Sequence, residues 1–179
     1  MQQETKITKE RIGVLIGKDG SVKAHIEKQT QTTITVDSTG GLVLVEGEEA
    51  DLFIRAVSTI QAISRGFSPE RAFVLLEEDD LYIEVLDISD AASTPEQMDR
   101  LRGRVIGRNG RARAQIEDMT QTSISVYGKT VAVIGDVEQI RVALDAVDML
   151  ISGVEHETVF SFLEKKKREA KQNMISYYY

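Results

Sequence analysis

Leu15-Ile16-Gly17-Lys18-Asp19-Gly20 and Val105-Ile106-Gly107-Arg108-Asn109-Gly110 are one stretch written twice, 90 positions apart. Outward from the glycines the agreement continues. The first copy is preceded by Val14-Leu15-Ile16 and the second by Arg104-Val105-Ile106. Each is followed by a helical run through Ile26-Glu27 or Ile116-Glu117, then Thr30-Gln31-Thr32 or Thr120-Gln121-Thr122. Each closes on an alternating segment, Ile34-Thr35-Val36 or Ile124-Ser125-Val126. A lone Gly-x-x-Gly carries little weight, but two in register across helix, loop and strand mark an internal repeat. The offset then drifts. Val45-Glu46-Gly47 answers to Val133-Ile134-Gly135 at an offset of 88, so two residues are missing from the second hairpin turn, and Gly66 answers to Gly153 at an offset of 87.

The repeat divides the 179 residues into two units of roughly 70–85 residues, a size at which one core is adequate but not generous. A hydrophobic fraction of 41% and a charged fraction of 28% are those of a globular protein. No apolar run reaches the roughly 18 residues of a membrane span, and the N-terminus lacks a basic-then-apolar signal. With no cysteine, disulfide and thiolate chemistry are excluded, which fits a cytoplasmic protein. The net charge of -7 argues superficially against a nucleic-acid partner, but its distribution matters more. Residues 67–99 hold 10 acids against Arg71 alone. Residues 100–179 are net positive, and Arg100, Arg102, Arg104, Arg108, Arg111 and Arg113 crowd the second loop with no acid among them.

Periodicity supplies the elements. Residues 10–16 read as one or two helical turns stopped by Gly17. Residues 21–31 carry Val22 and Ile26 on one face of a short helix. Residues 32–37 and 42–45 read as strands around the Ser38-Thr39-Gly40-Gly41 turn. Residues 48–65 form a helix whose apolar stripe includes Phe53, Ala56, Ile60 and Ile63. A polar segment at 4–9 is a weaker strand. The connector is not a floppy linker: Ser68 and Pro69 start a helix with Ala72, Phe73, Leu75 and Leu76 on its apolar side, and residues 81–88 read as a strand. In the second unit Thr94 and Asp136 are N-caps, and the long helix runs over 137–152. After Gly153 a further helix is expected from about His156 to Lys171, as an addition absent from the first unit, followed by a loose tail. Domain bounds follow: 1–66, a helical acidic connector 67–80, 81–172 with the C-terminal helix, and the tail 173–179.

A Gly-x-x-Gly turn between two helices permits backbone conformations that a Cβ forbids, and it lets another backbone come close. It ends at a helix N-terminus, whose unpaired amides favour phosphate. In the second unit Gly107, Arg108, Asn109 and Gly110, with Arg102, Arg104, Arg111 and Arg113, are expected to grip a phosphodiester. Ile116, Ile124 and Val126 would offer a shallow apolar groove for unstacked bases. Gly17, Lys18, Asp19 and Gly20, with Lys23, Ile26 and Ile34, form the weaker counterpart. Replacing Gly107 and Gly110 by aspartate is expected to abolish binding while sparing the fold.

These residues resemble the K-homology (KH) domain. The order strand–helix–GxxG–helix–strand–strand–helix is similar to its eukaryotic-type (type I) arrangement. That resemblance implies an α+β fold, two tandem KH domains with a three-stranded antiparallel sheet and helices on one face of each. It also implies that each GxxG clamps about four nucleotides of single-stranded RNA or DNA. The pair joined by Gly66-Phe67-Ser68-Pro69-Glu70 and Leu81-Tyr82-Ile83-Glu84-Val85, with the tail Val159-Phe160-Ser161-Phe162-Leu163-Glu164-Lys165, looks like the archaeal partner-of-Nob (Dim-two-like) family. The resemblance implies binding to small-subunit ribosomal RNA near its 3′ end, with a Nob-type endonuclease or a translation-initiation factor as protein partner. Eukaryotic members have lost the first GxxG; Gly17 and Gly20 are both present here.

Other readings are weaker. Gly13 to Asp19 has three residues between its glycines and an acid after the lysine, which breaks the Walker pattern. His25 and His156 stand apart with no metal-ligand set, and no catalytic constellation or cofactor motif is present, so no enzyme is expected. The acids at 77–80 read as solvated surface. Phe160 and Phe162 fit packing better than base stacking, and Tyr177-Tyr178-Tyr179 read as tail. An adaptor whose main ligand is protein, docking through the acidic connector or the first unit, stays open as the alternative.

Overall fold

The computed structural model describes residues 1–178. Tyr179, the end of the expected tail, lies outside the described residues. The chain divides into two units, Met1–Ile83 and Glu84–Tyr179. In the first, β1 (Gln2–Lys6) leads into α1 (Lys9–Ile16), the GxxG turn and α2 (Ser21–Thr30). The hairpin β2 (Thr33–Asp37) and β3 (Leu42–Glu46) follows, then α3 (Ala50–Ser64) and the short helices α4 (Pro69–Ala72) and α5 (Val74–Glu77). The division falls inside β4 (Tyr82–Asp87), the first strand of the second sheet, and the second unit continues with α6 (Pro95–Ile106), α7 (Arg111–Thr120), β5 (Ser123–Tyr127), β6 (Thr130–Gly135), α8 (Val137–Ile151) and α9 (His156–Tyr178). Both sheets are three-stranded, ordered β1-β3-β2 and β4-β6-β5. The two-residue drift is where the repeat places it: residues 38–41 join the first hairpin and residues 128–129 the second.

The first strand is the one that periodicity reads least well. It is β1 over Gln2–Lys6, and four of its five residues are exposed, so no alternation marks it. Register does the work instead. Gln2 faces Glu46 and Lys6 faces Leu42 across an antiparallel ladder, and Gly47 N–H donates to the Met1 carbonyl at 3.0 Å. The cores are aliphatic. Leu15, Ile26, Ile34, Val43, Ile60, Ile63 and Phe67 are buried in the first unit, and Val105, Ile116, Ile124, Val133, Val147 and Leu150 in the second. Caps fall where expected: Ser68 accepts from Arg71 N–H, Thr94 from Gln97 N–H, and Asp136 forms a reciprocal capping box with Gln139.

The repeat extends further than Gly66 and Gly153. Both glycines have positive φ, 101° and 95°, and after each the chain turns back in the same way. Phe67 N–H returns to the Ala62 carbonyl at 3.1 Å, and Val154 N–H to Met149 at 3.0 Å. From there Ala72 matches Val159, Phe73 matches Phe160 and Leu76 matches Leu163, at the offset of 87 that relates the glycines. Ala72, Leu76, Val159 and Leu163 are all buried. The C-terminal helix is therefore not an addition. Its first two turns duplicate α4–α5, which pack on α3 and close the first unit rather than merely bridging the two. What α9 adds is length. It continues to Tyr178, past the expected end near Lys171, because no glycine or proline interrupts residues 164–178.

A joint made by one arginine recurs in each unit. Arg11 Nε donates to the Ile63 carbonyl at 2.8 Å, and its terminal nitrogen to that of Phe67 at 2.6 Å. Arg104 does the same to Leu150 at 2.7 Å and Val154 at 2.5 Å. Ile63 and Leu150 lie in the last turns of α3 and α8, where they also accept from Gly66 and Gly153 N–H at 3.2 Å, and Phe67 and Val154 lie just beyond the glycine turn.

Gly13, mid-way along α1, meets nothing within 4 Å of an added Cβ and has no positive φ. Gly13→Ala is expected to raise stability by about 0.5–1 kcal/mol through helix propensity, read as a higher urea midpoint. An unchanged or lower midpoint would mean that α1 needs the glycine.

Candidate nucleic-acid interface

The two loops superimpose torsion by torsion. Gly17 and Gly107 share φ 73° with ψ 180° and 176°, a region essentially reserved for glycine. Asp19 and Asn109 lie in the left-handed region at φ 54° and 55°, and Gly20 and Gly110 at φ 74°. Asn and Asp tolerate that conformation better than other side-chain-bearing residues, which accounts for both. Asp19 thus has a backbone role besides its charge.

The glycines of each pair serve different ends. A Cβ on Gly107 would lie 2.5 Å from Ala112 Cβ and 2.8 Å from Ala112 N; one on Gly17 would meet Val22 at 2.4 Å. These positions let the following helix fold back. A Cβ on Gly20 or Gly110 would meet nothing within 4 Å, so this side of the loop is open. The expectation that both glycines of the second loop accept aspartate without harm is corrected here: Gly107 is held by packing as well as by its torsions.

Gly20 and Gly110 are the N-caps of α2 and α7, and neither helix has a side-chain cap. The first amide of each helix, Ser21 or Arg111 N–H, closes the turn onto the Lys18 or Arg108 carbonyl, and the positive end of the helix dipole lies behind the loop, where it favours an anion. Arg108 and Asn109 are exposed at the turn and Arg111 at the first residue of α7; Lys18 is exposed in the first loop.

Two other arginines of the cluster are engaged elsewhere, and a third is half-buried. Arg104 is spent on the Leu150 and Val154 carbonyls. Arg102 donates to the Gly128 carbonyl at 2.6 Å and pairs with Asp99. Arg113 is half-buried, and its Nε is buried with no partner. In the first unit Lys23 pairs with Glu27 at 3.1 Å. Composition pointed to six arginines; the fold presents Arg100, Arg108 and Arg111 as exposed cations on this part of the second unit.

The apolar groove needs a second correction. Ile26, Ile34, Ile116 and Ile124 are at most 2% exposed. They are core residues that set the spacing of helix and strand from beneath, and they cannot touch a nucleotide. Val126, half-buried, remains within reach of the surface.

What lies beside the helix is a backbone edge. β2 and β5 are the outer strands of their sheets. Glu27 accepts from Ile34 N–H and Glu117 from Ile124 N–H, both at 2.7 Å, so these amides point away from the ladder. By strand alternation Val36 and Val126 direct their N–H and C=O the same way, where base edges can read them. Glu27 and Glu117 stand in the sequence as a repeated Ile-Glu, a signal that the residue pattern alone gave no role. The repeated Thr-Gln-Thr also gains one. Thr30 and Thr32 share a hydroxyl hydrogen bond at 2.8 Å, as do Thr120 and Thr122, and the glutamine between them ends the helix in the left-handed region.

Comparison with known proteins agrees with this geometry. A model of the second KH domain of PNO1, described as a eukaryotic-type KH domain (KH-domain type I), matches residues 82–168, and a KH-domain model matches residues 2–62. A KH domain-containing protein of Methanocaldococcus jannaschii is 41% identical over 170 residues, covering 93% of this chain and 74% of the relative. The pre-rRNA-processing protein pno1 of Schizosaccharomyces pombe is 31% identical, covering 67% of this chain and 50% of its own. The chain thus spans about half the length of that eukaryotic relative. Among solved structures, Dim2p from Pyrococcus horikoshii is 46% identical with a TM-score of 0.85, covering 92% of this chain and 99% of that one. A chain in the a/eIF2alpha–aDim2p–rRNA complex from the same organism is 44% identical with a TM-score of 0.88, covering 94% and 95%.

Proposed function

The chain belongs to the Dim2/PNO1-like family of tandem KH-domain proteins, and from that premise we propose that it holds single-stranded small-subunit ribosomal RNA near its 3′ end during ribosome assembly and maturation. The carrying observation is the loop of the second unit. It joins an uncapped helix N-terminus to exposed Arg108 and Arg111, with the Gly110 side open. Phosphates sit on the loop amides, and bases lie toward the outer edge of β5, which supplies backbone donors and acceptors. The first loop repeats this geometry with Lys18 as its exposed cation and acts as the auxiliary clamp. Site residues on this reading are Gly107 to Gly110, Arg111 and Val126, with Gly17 to Gly20 second. Arg102, Arg104, Arg113, Lys23 and the four buried isoleucines support them.

The protein works by holding rather than by reacting. Any cleavage of the RNA belongs to a partner such as a Nob-type endonuclease. A translation-initiation-factor partner is supported by the a/eIF2alpha-containing assembly of the Pyrococcus relative. The proposed setting is the cytoplasm.

Fluorescence anisotropy with 3′-end oligonucleotides of small-subunit ribosomal RNA tests the reading. Single strands are expected to bind, with Arg108→Ala and Arg111→Ala each lowering the log K against log salt slope by about 0.7. Equal affinity for a duplex of the same sequence, or slopes that both variants leave alone, would remove the loop from the interface.

A further inference from the structure

The internal repeat supplies a comparison between its own halves. In the first unit the His25 ring lies against Phe73, with ring centroids 4.4 Å apart and planes at 36°. In the second unit Phe160 takes the place of Phe73, but Gln115 stands where His25 does. The aromatic ring keeps its position on the helix but has no ring against it from α7; its ring neighbour is His156 of its own helix, with centroids 6.2 Å apart.

What occupies that place is a cavity of about 580 Å³. Three helices each give it one stripe: Arg100 and Gly103 from α6, Arg111 and Gln115 from α7, His156 and Phe160 from α9. Arg108 lines it at the GxxG turn. An added Cβ at Gly103 would meet nothing within 4 Å, so the α6 wall is open. His156 Nε2 is 2.8 Å from the Arg104 carbonyl, which fixes the imidazole, and its ring centroid stands 6.2 Å from that of Phe160. The lining includes no acid.

We infer that this cavity is a subsite for one nucleobase of the bound RNA, stacked on Phe160, belonging to a nucleotide next to those clamped at Gly107–Gly110. The inference rests on the reading of that loop as the RNA clamp. Its chemistry is a π-face bordered by arginines, the combination that suits a base and its phosphate irrespective of sequence. Gly107 and Arg108 of the loop and Arg111 just after it also line the cavity, so one chain of phosphates can serve both. The subsite lies on the α9 side of α6 and α7 and lengthens the footprint beyond the groove along β5.

An abasic scan of a bound ribosomal RNA oligonucleotide, measured on the whole protein, tests the subsite. One position outside the clamped tetranucleotide is expected to lose about 5- to 150-fold in affinity when its base is removed, the range for one stacked base. Phe160→Leu, which keeps the apolar contact with the core, should lose as much on intact RNA and be indifferent to the abasic site. Gln115→His alters an exposed residue and installs the ring that the first unit carries; it should act in the same way. If both variants bind the intact and abasic series as the wild type does, the cavity holds no base. A base whose removal costs the same in all three proteins would be bound elsewhere, and the proposal falls. Arg108→Asp with Asn109→Asp separates the two readings. Loss of binding there with no effect at Phe160 or Gln115 leaves the clamp and removes the subsite; full binding there removes the clamp itself.

Discussion

Arg108→Asp combined with Asn109→Asp is expected to weaken RNA binding at least about 100-fold, with little change in thermal stability. Both side chains are exposed, and Asp19 already holds the equivalent left-handed position in the first loop at φ 54°. The backbone should therefore keep its shape. What changes is the field. A cation beside the N-terminus of α7 is replaced by two carboxylates, and like charges pressed together at an interface cost several kcal/mol. About 3 kcal/mol corresponds to about 100-fold in Kd. Lys18→Asp, the matching change in the first loop, should cost less because a single exposed lysine is lost there. Filter binding with a melting curve on each variant checks both halves. Equal losses at the two loops would overturn the ranking of the second unit as principal clamp, and a stable double variant with full affinity would place the RNA elsewhere.

Gly107→Ala and Gly110→Ala should differ in kind although they stand three residues apart in one motif. At Gly107 the backbone is in a region open almost only to glycine, a strain of about 1–3 kcal/mol for any other residue. The new methyl would also press on Ala112 at 2.5 Å, adding about 1–3 kcal/mol of overpacking. At Gly110 only the left-handed torsion is penalised, by about 1–2 kcal/mol, since nothing lies within 4 Å. Urea denaturation followed by circular dichroism should place Gly107→Ala well below Gly110→Ala, with the order reversed for RNA affinity per unit of stability lost. Equal midpoints would show that α7 can shift to make room.

The fold was legible because its determinants are local and occur twice. Apolar periods, the glycine turns and the N-caps Ser68, Thr94 and Asp136 are each readable within a few residues, and the repeat checked one copy against the other. Polar β1 was poorly legible because its position is set by pairing with β3, not by its own pattern. The duplication of α4–α5 in α9 was hidden for a different reason. Only its glycine, one glutamate on each helix, Phe73/Phe160 and the Leu76-Glu77/Leu163-Glu164 pair match, while the acidic run after Glu77 faces a basic run after Glu164. Opposite charge made related helices look unrelated.

The site was legible in outline and misread in detail. Residue type shows that six arginines are near one loop; it does not show that Arg104 faces the carbonyls of α8 or that Arg102 reaches Gly128. Likewise isoleucine at 26, 34, 116 and 124 is compatible with a groove or with the core beneath it, and burial decides for the core. Such distinctions depend on rotation about a helix axis by a fraction of a turn, which a short amphipathic pattern does not fix.

The arginine joint is made from different places in the two units. Counted along the repeat, Arg11 corresponds to Leu101 and Arg104 to Val14, one helical turn apart, yet the two guanidinium groups reach equivalent carbonyls, Ile63 with Phe67 and Leu150 with Val154. Aligned position by position, the halves would each register a lost arginine. What duplication and divergence have kept is a demand made by the receiving backbone, which either neighbouring turn of the donor helix can meet. Homology in this protein is therefore carried partly by acceptors that no side chain records, and an ancestral sequence reconstructed column by column could lack the joint or carry it twice.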